Sequence, residues 1–242
     1  MIERIPGVRG AQAYLYRGSA GTAVIDPGYT GSYRAVLRFL REKGYDRQPL
    51  DWVILTHHHI DHAGTALALC QATGAHLALH RDDARYLRAG RPRERTTLWG
   101  LAERLPSRLL PYLVSCADCD VRLLEDRETI AGFTVIHAPG HTPGSVSLWA
   151  ESESALVVGD VLNNERGRIA TPPWTVNHSH SQARRAPERL LGLRYERAYF
   201  GHGPAVLERA DQLVGAFLTA RHSSGKIRVT NEDSQASDAI RG

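Results

Sequence analysis

Residues 52–65 read "WVILTHHHIDHAGT": an apolar run that stops on a threonine, three histidines, an isoleucine, an aspartate and a fourth histidine. The run itself, "DWVILTH" (51–57), is continuously β-branched and aliphatic, which suits a strand covered on both faces. If that strand persists through His59, alternation turns His57 and His59 one way and His58 the other, with Asp61 and His62 at the turn into the next helix. Imidazole nitrogens and a carboxylate converging there are the ligands that Zn²⁺ and other divalent first-row metals prefer. A solvated polar loop is the plainer explanation. Four histidines and an aspartate within six residues, at the mouth of an apolar strand, favour a metal site over it. His58 is expected to stand aside as a bystander.

Two or three ligands do not close a site, so the rest of the chain should supply more. "FTVIHAPGHTPGS" (133–145) offers His137 or His141, and the "PGHTPG" context leaves His141 as the loop residue free to reach a metal. "ALVVGD" (155–160) ends in Asp160, directly after an apolar strand and a glycine. "AYFGHG" (198–203) ends in His202 between glycines that let the backbone approach closely. Each is weak alone. Three apolar strands that each end in a metal-competent residue, added to the first cluster, form a strong constellation.

The remaining pattern is mixed α/β. "AQAYLYRG" (11–18) and "GTAVIDPG" (21–28) read as a hairpin, "SYRAVLRFLREKG" (32–44) as a helix, and "AGTALALCQATG" (63–74) as a helix running into the strand "AHLALH" (75–80). Residues 81–117 are helical in pattern but broken by Pro92, Pro106 and Pro111, and are expected to form a helical insert or lid. Strand-like runs follow at 121–124, 133–140, 145–150 and 155–160, then a proline-rich loop (161–180), a helix near 181–192, a strand at 197–203 and a helix at 204–221. The expected organisation is one domain over residues 1–222 with a disordered polar tail at 223–242.

Composition narrows the function classes. The 242 residues are 42% hydrophobic and 23% charged, ordinary for a globular protein. The formal charge of +4 is spread out: eight arginines between Arg81 and Arg108 are diluted by Asp82, Asp83, Glu94 and Glu103, so no nucleic-acid-gripping element is expected. No apolar stretch approaches the roughly 18 residues of a membrane span. With three cysteines and no secretory signal read in "MIERIPGVRG", a cytoplasmic location is expected. "CADC" (116–119) has no second pair or nearby histidine, and reads as two ordinary cysteines, Cys116 and Cys119.

The pattern H-x-H-x-D-H (His57, His59, Asp61, His62), followed by His141, Asp160 and His202, resembles the metallo-β-lactamase-fold hydrolase superfamily, in its glyoxalase II-like and lactonase-like branch. Asp26 in "VIDPG" is similar to that family's early aspartate, and the likeness runs over roughly residues 10–220. The resemblance implies a four-layer αββα sandwich with a metal site at one edge. It implies that His57, His59 and His141 hold one ion, that Asp61, His62 and His202 hold a second, and that Asp160 bridges both. Asp26 would orient neighbouring groups or serve as a turn residue before Pro27 and Gly28.

The implied function is a dinuclear metal-dependent hydrolase in which a metal-bridging hydroxide attacks a small ester-like bond: a thioester, a lactone or a carboxylic ester. Zinc is the expected metal, with iron or manganese as alternatives, and the expected partner is a small-molecule substrate. Two cations about 3.5–4 Å apart activate a shared water without any serine or cysteine nucleophile, and no G-x-S-x-G elbow is found. Asp61 is the candidate proton shuttle to the departing group. Asn163, Asn164 and His178 are candidates for substrate contact, with loop structure as their plainer role. Alternatives are a phosphodiesterase of the same fold and a persulfide dioxygenase with a single iron on His57, His141 and Asp160.

Overall fold

The strand Gly21–Ile25 turns Ala23 and Ile25 to one face and Val24 to the other, and each face meets a different core. The strand Ala155–Gly159 does the same, with Ala155 and Val157 on one side and Leu156 and Val158 on the other. Period-two alternation with apolar residues at both parities means that both sheets are covered on both faces. Three cores therefore separate four layers.

The computed structural model describes residues 1–45, 48–88 and 121–227. The first sheet orders β1 (Ile2–Ile5), β2 (Ala13–Gly18), β3 (Gly21–Ile25), β4 (Trp52–Ile54), β5 (His76–His80) and β6 (Val121–Leu124) consecutively. β1 to β3 are antiparallel, and β3 to β6 are parallel. The second sheet contains β7 (Thr129–Ile130), β8 (Phe133–His137), β9 (Val146–Ala150), β10 (Ala155–Gly159) and β13 (Arg197–Phe200), in the order β13-β10-β9-β8-β7. A separate ribbon, β11 (Asn163–Glu165) with β12 (Arg168–Ala170), lies in the stretch that composition suggests is a plain loop.

Between the sheets Tyr14, Tyr16, Ile25 and Ile54 meet Phe133, Val135, Leu148 and Val157. Outside the first sheet lie α1 (Tyr33–Glu42) and α3 (Ala66–Thr73), whose Val36, Phe39, Leu40 and Leu69 pack on Leu15, Val24, Val53 and Leu79. The i, i+3, i+4 spacing of the α1 residues is the apolar stripe of a helix lying on a sheet. Outside the second sheet, α5 (His180–Arg185), the 3₁₀ turn Ala186–Leu190 and α6 (Ala210–Ile227) cover Ile136, Leu156, Val158 and Phe200. This is the αββα sandwich. Among the described residues no helix is long and apolar enough to cross a membrane.

Several boundaries differ from the expectation. β4 stops at Ile54, so His57 to His59 do not continue a strand. The Leu55 N–H still donates to Ala78 O in the first sheet, but the Thr56 carbonyl accepts from Val146 N in the second, so the chain crosses between sheets before the histidines begin. The helix expected at 63–74 is shorter, α3, and a separate turn, α2 (Ile60–Ala63), precedes it. The helix expected near 181–192 gives way to the 3₁₀ turn beside Pro187, which has no N–H to continue the ladder. The last helix starts at Ala210 because Val206 pairs with Ala198 as an extended bridge, and it runs to Ile227, into the segment expected to be disordered. Of the expected insert, residues 81–88 form α4 (Arg81–Arg88), with Asp83 and Ala84 buried. The rest of the insert, with Trp99, Tyr112, Cys116 and Cys119, and the tail from 228 lie outside the described residues.

Candidate metal centre

β8, β10 and β13 all run in one direction, β8 and β10 each antiparallel to β9, and β13 parallel to β10. Their carboxyl ends thus share one edge of the second sheet. His141 lies in the loop after β8, Asp160 directly after β10 and His202 two residues after β13. The Thr56–Val146 hydrogen bond brings the end of β4 to the same edge. His57 and His59 precede α2, and Asp61 and His62 sit on it. All seven residues therefore arrive at one place from both sheets.

The ring centroids of His57, His59 and His141 form a near-equilateral triangle, with separations of 4.7, 4.7 and 4.6 Å. Asp61, His62 and His202 form a second group, with His202 Nε2 3.3 Å and His62 Nε2 3.8 Å from Asp61 Oδ2. Asp160 stands between them: its Oδ2 is 3.4 Å from both His141 Nε2 and His202 Nε2, and its Oδ1 is 3.5 Å from His62 Nε2. Both triads place ligand atoms close enough to hold one ion each. His57, His59, His62, His141 and Asp160 are buried, whereas Asp61 and His202 are partly exposed, so the second triad forms the solvent-facing rim.

Hydrogen bonding fixes which imidazole nitrogens face inward. Thr56 Oγ1 gives its proton to Asp26 Oδ2 (2.7 Å), so towards His57 Nδ1 (3.1 Å) it can only accept. His62 Nδ1 faces the same Asp26 oxygen at 2.9 Å, and His141 Nδ1 faces Asn177 Oδ1 at 2.9 Å. Each Nδ1 is thus the donor, and Nε2 is the nitrogen that faces inward, with a free lone pair whenever the ring is neutral. Burial, and then the neighbouring imidazoles, hold His57 well below the usual histidine range; burial also lowers His141, against the pull of Asp160. Two bare nitrogens 3.2 Å apart, His57 Nε2 and His141 Nε2, repel unless a cation lies between them.

The rim triad has the opposite balance. Burial alone would lower His62, but Asp160, Asp26 and Asp61 outweigh it and raise it to about 9. Burial likewise opposes the rise of His202, which hydrogen bonds to Asp160 and Asp61 carry to about 10. Asp160 is held well below the carboxylate range, because His62, His202 and His141 overcome its burial. His62 Nε2 and Asp160 Oδ1 are buried and make no hydrogen bond. A carboxylate-rich pocket with inward lone pairs suits a divalent cation in place of the protons. The donor set fits.

Asp26 supports the cluster and forms its turn at once. Its backbone is in the left-handed region (φ 50°), uncommon for a residue with a side chain, and its two oxygens accept from Thr56 N (2.8 Å), Thr56 Oγ1 and His62 Nδ1. At Gly203, φ is +95° and a Cβ would collide with the Asn164 carbonyl, so the loop carrying His202 needs a glycine there.

Three regions show contacts that the sequence did not reveal. His58 stands outside the groups that could hold a metal, as expected of a bystander to the ligands, but its ring is buried, stacks on Tyr86 (4.3 Å, 11°) and places Nδ1 2.9 Å from Asp83 Oδ2. Asn164 holds two loops together: its Nδ2 donates to Pro204 O and its Oδ1 accepts from Gly167 N. Asn163 remains buried with Oδ1 unpartnered. In "NHSH" the residue that reaches the cluster is Asn177, while His178 is exposed and contributes its backbone N–H to His141 O (2.8 Å). An asparagine ahead of two histidines carried no signal that could have singled it out.

His137 stays outside the centre, as its alternating strand context suggests. It comes within ligand range of His80 and Asp82. The His80 and His137 rings, however, stack nearly parallel (3.9 Å, 14°), and His137 Nε2 lies 2.9 Å from Pro143 O. Parallel rings direct their lone pairs side by side, so this pair serves as an inter-sheet contact.

Two face-to-face sheets, outer helices and a histidine–aspartate cluster at a shared carboxyl edge define the class, an αββα sandwich with a candidate metal centre. The chain belongs to the metallo-beta-lactamase superfamily, whose sequence model matches residues 6–202. It is 31% identical over 166 residues to a hydroxyacylglutathione hydrolase of Methylococcus capsulatus, covering 66% of this chain and 51% of that protein. It is 28% identical over 155 residues to an N-acyl homoserine lactonase of Bacillus thuringiensis, covering 61% and 50%. The chain thus spans about half the length of these two relatives. In structure it is similar to TTHA1623 in a di-iron-bound form, with TM-score 0.65 and 26% identity over 91% of this chain and 97% of that one.

Proposed function

We propose that this protein is a dinuclear metal-dependent hydrolase of a small ester-like bond, a thioester, a lactone or a carboxylic ester. The observation that carries the reading is the pair of triads sharing Asp160, whose two oxygens face His141 and His202 on one side and His62 on the other. His57, His59 and His141 would hold one ion, Asp61, His62 and His202 the other, and Asp160 both. Bound divalent cations supply Lewis acidity that activates water and polarises a carbonyl.

The chain's own side chains do the rest. Asp26, Thr56 and Asn177 fix the Nδ1–H tautomers of His57, His62 and His141, so that the Nε2 of each would present its lone pair to a bound cation. The buried triad excludes water from behind the site, and the partly exposed Asp61 and His202 leave the approach for a small-molecule substrate on the rim. Asp61, the partly exposed rim carboxylate, would pass a proton to the departing group. The two relatives named for hydrolysing a hydroxyacylglutathione and an acyl homoserine lactone support a thioester and a lactone as the first substrates to try. A one-iron dioxygenase would leave the complete rim triad without a role.

The test is a panel of thioester, lactone, phosphodiester, β-lactam and glutathione persulfide, run on protein of measured metal content. Two metal ions per chain with turnover of a thioester, lactone or carboxylic ester supports the proposal. One iron with oxygen uptake on the persulfide, or turnover confined to the phosphodiester, overturns it. The same measurement separates zinc from iron and manganese.

A further inference from the structure

One carboxylate outside the ligand set joins the two loops that carry the three-histidine triad. Asp83 lies in the first turn of α4 and is fully buried. Its Oδ2 accepts from the His58 backbone N–H (2.8 Å) and from Thr142 Oγ1 (2.8 Å), and His58 Nδ1 lies 2.9 Å from the same atom. Its Oδ1 accepts from the Gly144 backbone N–H at 2.6 Å. His58 sits between His57 and His59, and Thr142 follows His141. One side chain therefore grips the chain between two of the triad's histidines and the chain beside the third.

The surroundings are built to this contact. A Cβ on Gly144 would come within 2.6 Å of Asp83 Oδ1 and 2.7 Å of Asp83 N, so the "PGHTPG" loop can lie against the carboxylate only because that position is glycine. Thr142 is tied a second time, its N–H and Oγ1 each 2.8 Å from Ser145 Oγ. Tyr86, one turn beyond Asp83 on α4, closes the other face of the His58 ring. The neighbouring Asp82 is half-exposed, so the full burial belongs to Asp83 and is no general property of an acidic helix start. Desolvation would raise the Asp83 carboxyl, and His58, Thr142 and Gly144 N–H overcome it, so the group holds its charge inside the fold.

We infer that Asp83 is a positioning residue for the three-histidine half of the metal centre: it locks the 56–59 and 140–145 loops at the spacing that makes His57, His59 and His141 converge. The inference rests on the dinuclear reading above. It differs from the support that Asp26 and Asn177 give, because Asp83 holds the two loops and touches no ligand ring. Its loss should affect one triad and spare the other, since neither α2 nor the loop after β13 touches it through any of these bonds.

The test is zinc binding by apo-protein, measured one site at a time. His202→Ala leaves the three-histidine site intact, and His59→Ala leaves the rim site. Asp83→Asn keeps the volume of the side chain but turns an amide donor towards backbone N–H groups. In the His202→Ala background it should weaken zinc binding about 10-fold to 100-fold and shift the visible bands of the Co²⁺ form. In the His59→Ala background binding should change less than about threefold, within the ordinary context-dependence of such effects. Leu69→Ala, a core variant on α3, is the control for lowered stability and should leave both sites alike.

If Asp83→Asn does not fold, Thr142→Val removes one of the bonds and should weaken the three-histidine site alone. Equal weakening of both sites, or no weakening of either, overturns the inference. Wild-type protein that binds no zinc overturns the dinuclear reading instead, so the two failures are distinct.

Discussion

Asp26 Oδ2 and His62 Nδ1 lie 2.9 Å apart, both buried, and the aspartate reaches this position from a left-handed backbone at the end of β3. The same carboxylate orients the Thr56 hydroxyl, which in turn sets the His57 tautomer. One strained residue therefore controls one imidazole in each triad. Asp26→Asn keeps the shape but removes an obligate acceptor. We expect metal affinity to fall by about 10-fold to 100-fold, read as metals retained per chain after dialysis. Full retention would show that the contact is only a turn.

The contact between His58 and Asp83 makes a substitution at His58 costly. His58→Ala leaves the Asp83 carboxylate short of a partner in the interior, a loss of about 1–3 kcal/mol. Thermal unfolding should register this as a clear fall in Tm. An unchanged Tm would contradict a structural role for the contact.

Gly203→Ala tests the loop that delivers His202. A Cβ there meets the Asn164 carbonyl and imposes a positive φ on alanine, at a cost of about 1–3 kcal/mol. The His202 side of the site should lose metal first, which quantification on partly loaded protein detects. Wild-type loading and Tm would contradict the placement.

The pH dependence of the metal-free protein follows from His62 and His202, raised to about 9 and about 10. An unfolded histidine titrates near 6.5, so their stabilising contribution is complete below about pH 6.5 and disappears as pH rises through the folded values. Between pH 7 and 10 the chelated protein should lose Tm. The loaded protein carries cations in place of those protons, so the Tm gap between the two forms should widen. A gap that stays constant or narrows would contradict the assigned protonation.

The candidate ligands were legible because they are chemically rare and follow apolar runs: Asp160 after "ALVVG" and His202 after "AYFG" stand out in a single sequence. The layers were legible in part, since runs such as "VIL" and "LVV" demand cover on both faces. What supports the ligands was not. Asp83 and Asp82 are identical as acids in the first turn of a helix, a common place for acids, and only the second sheet's loop packing against α4 buries one of them. Asn177 looks like any loop asparagine until His141 is brought beside it. The end of β4 was also hidden, because the crossing at Thr56 depends on Val146, ninety positions later.

The central claim is that seven side chains from both sheets hold two divalent cations that the chemistry requires. The most direct measurement is metal content by mass spectrometry beside hydrolysis of a thioester and a lactone, on wild-type and Asp160→Ala protein, before and after exhaustive chelation. The account predicts two ions per wild-type chain, turnover that vanishes on chelation and returns with metal, and an Asp160→Ala protein with fewer ions and almost no turnover. Undiminished hydrolysis by metal-free wild-type protein would contradict it.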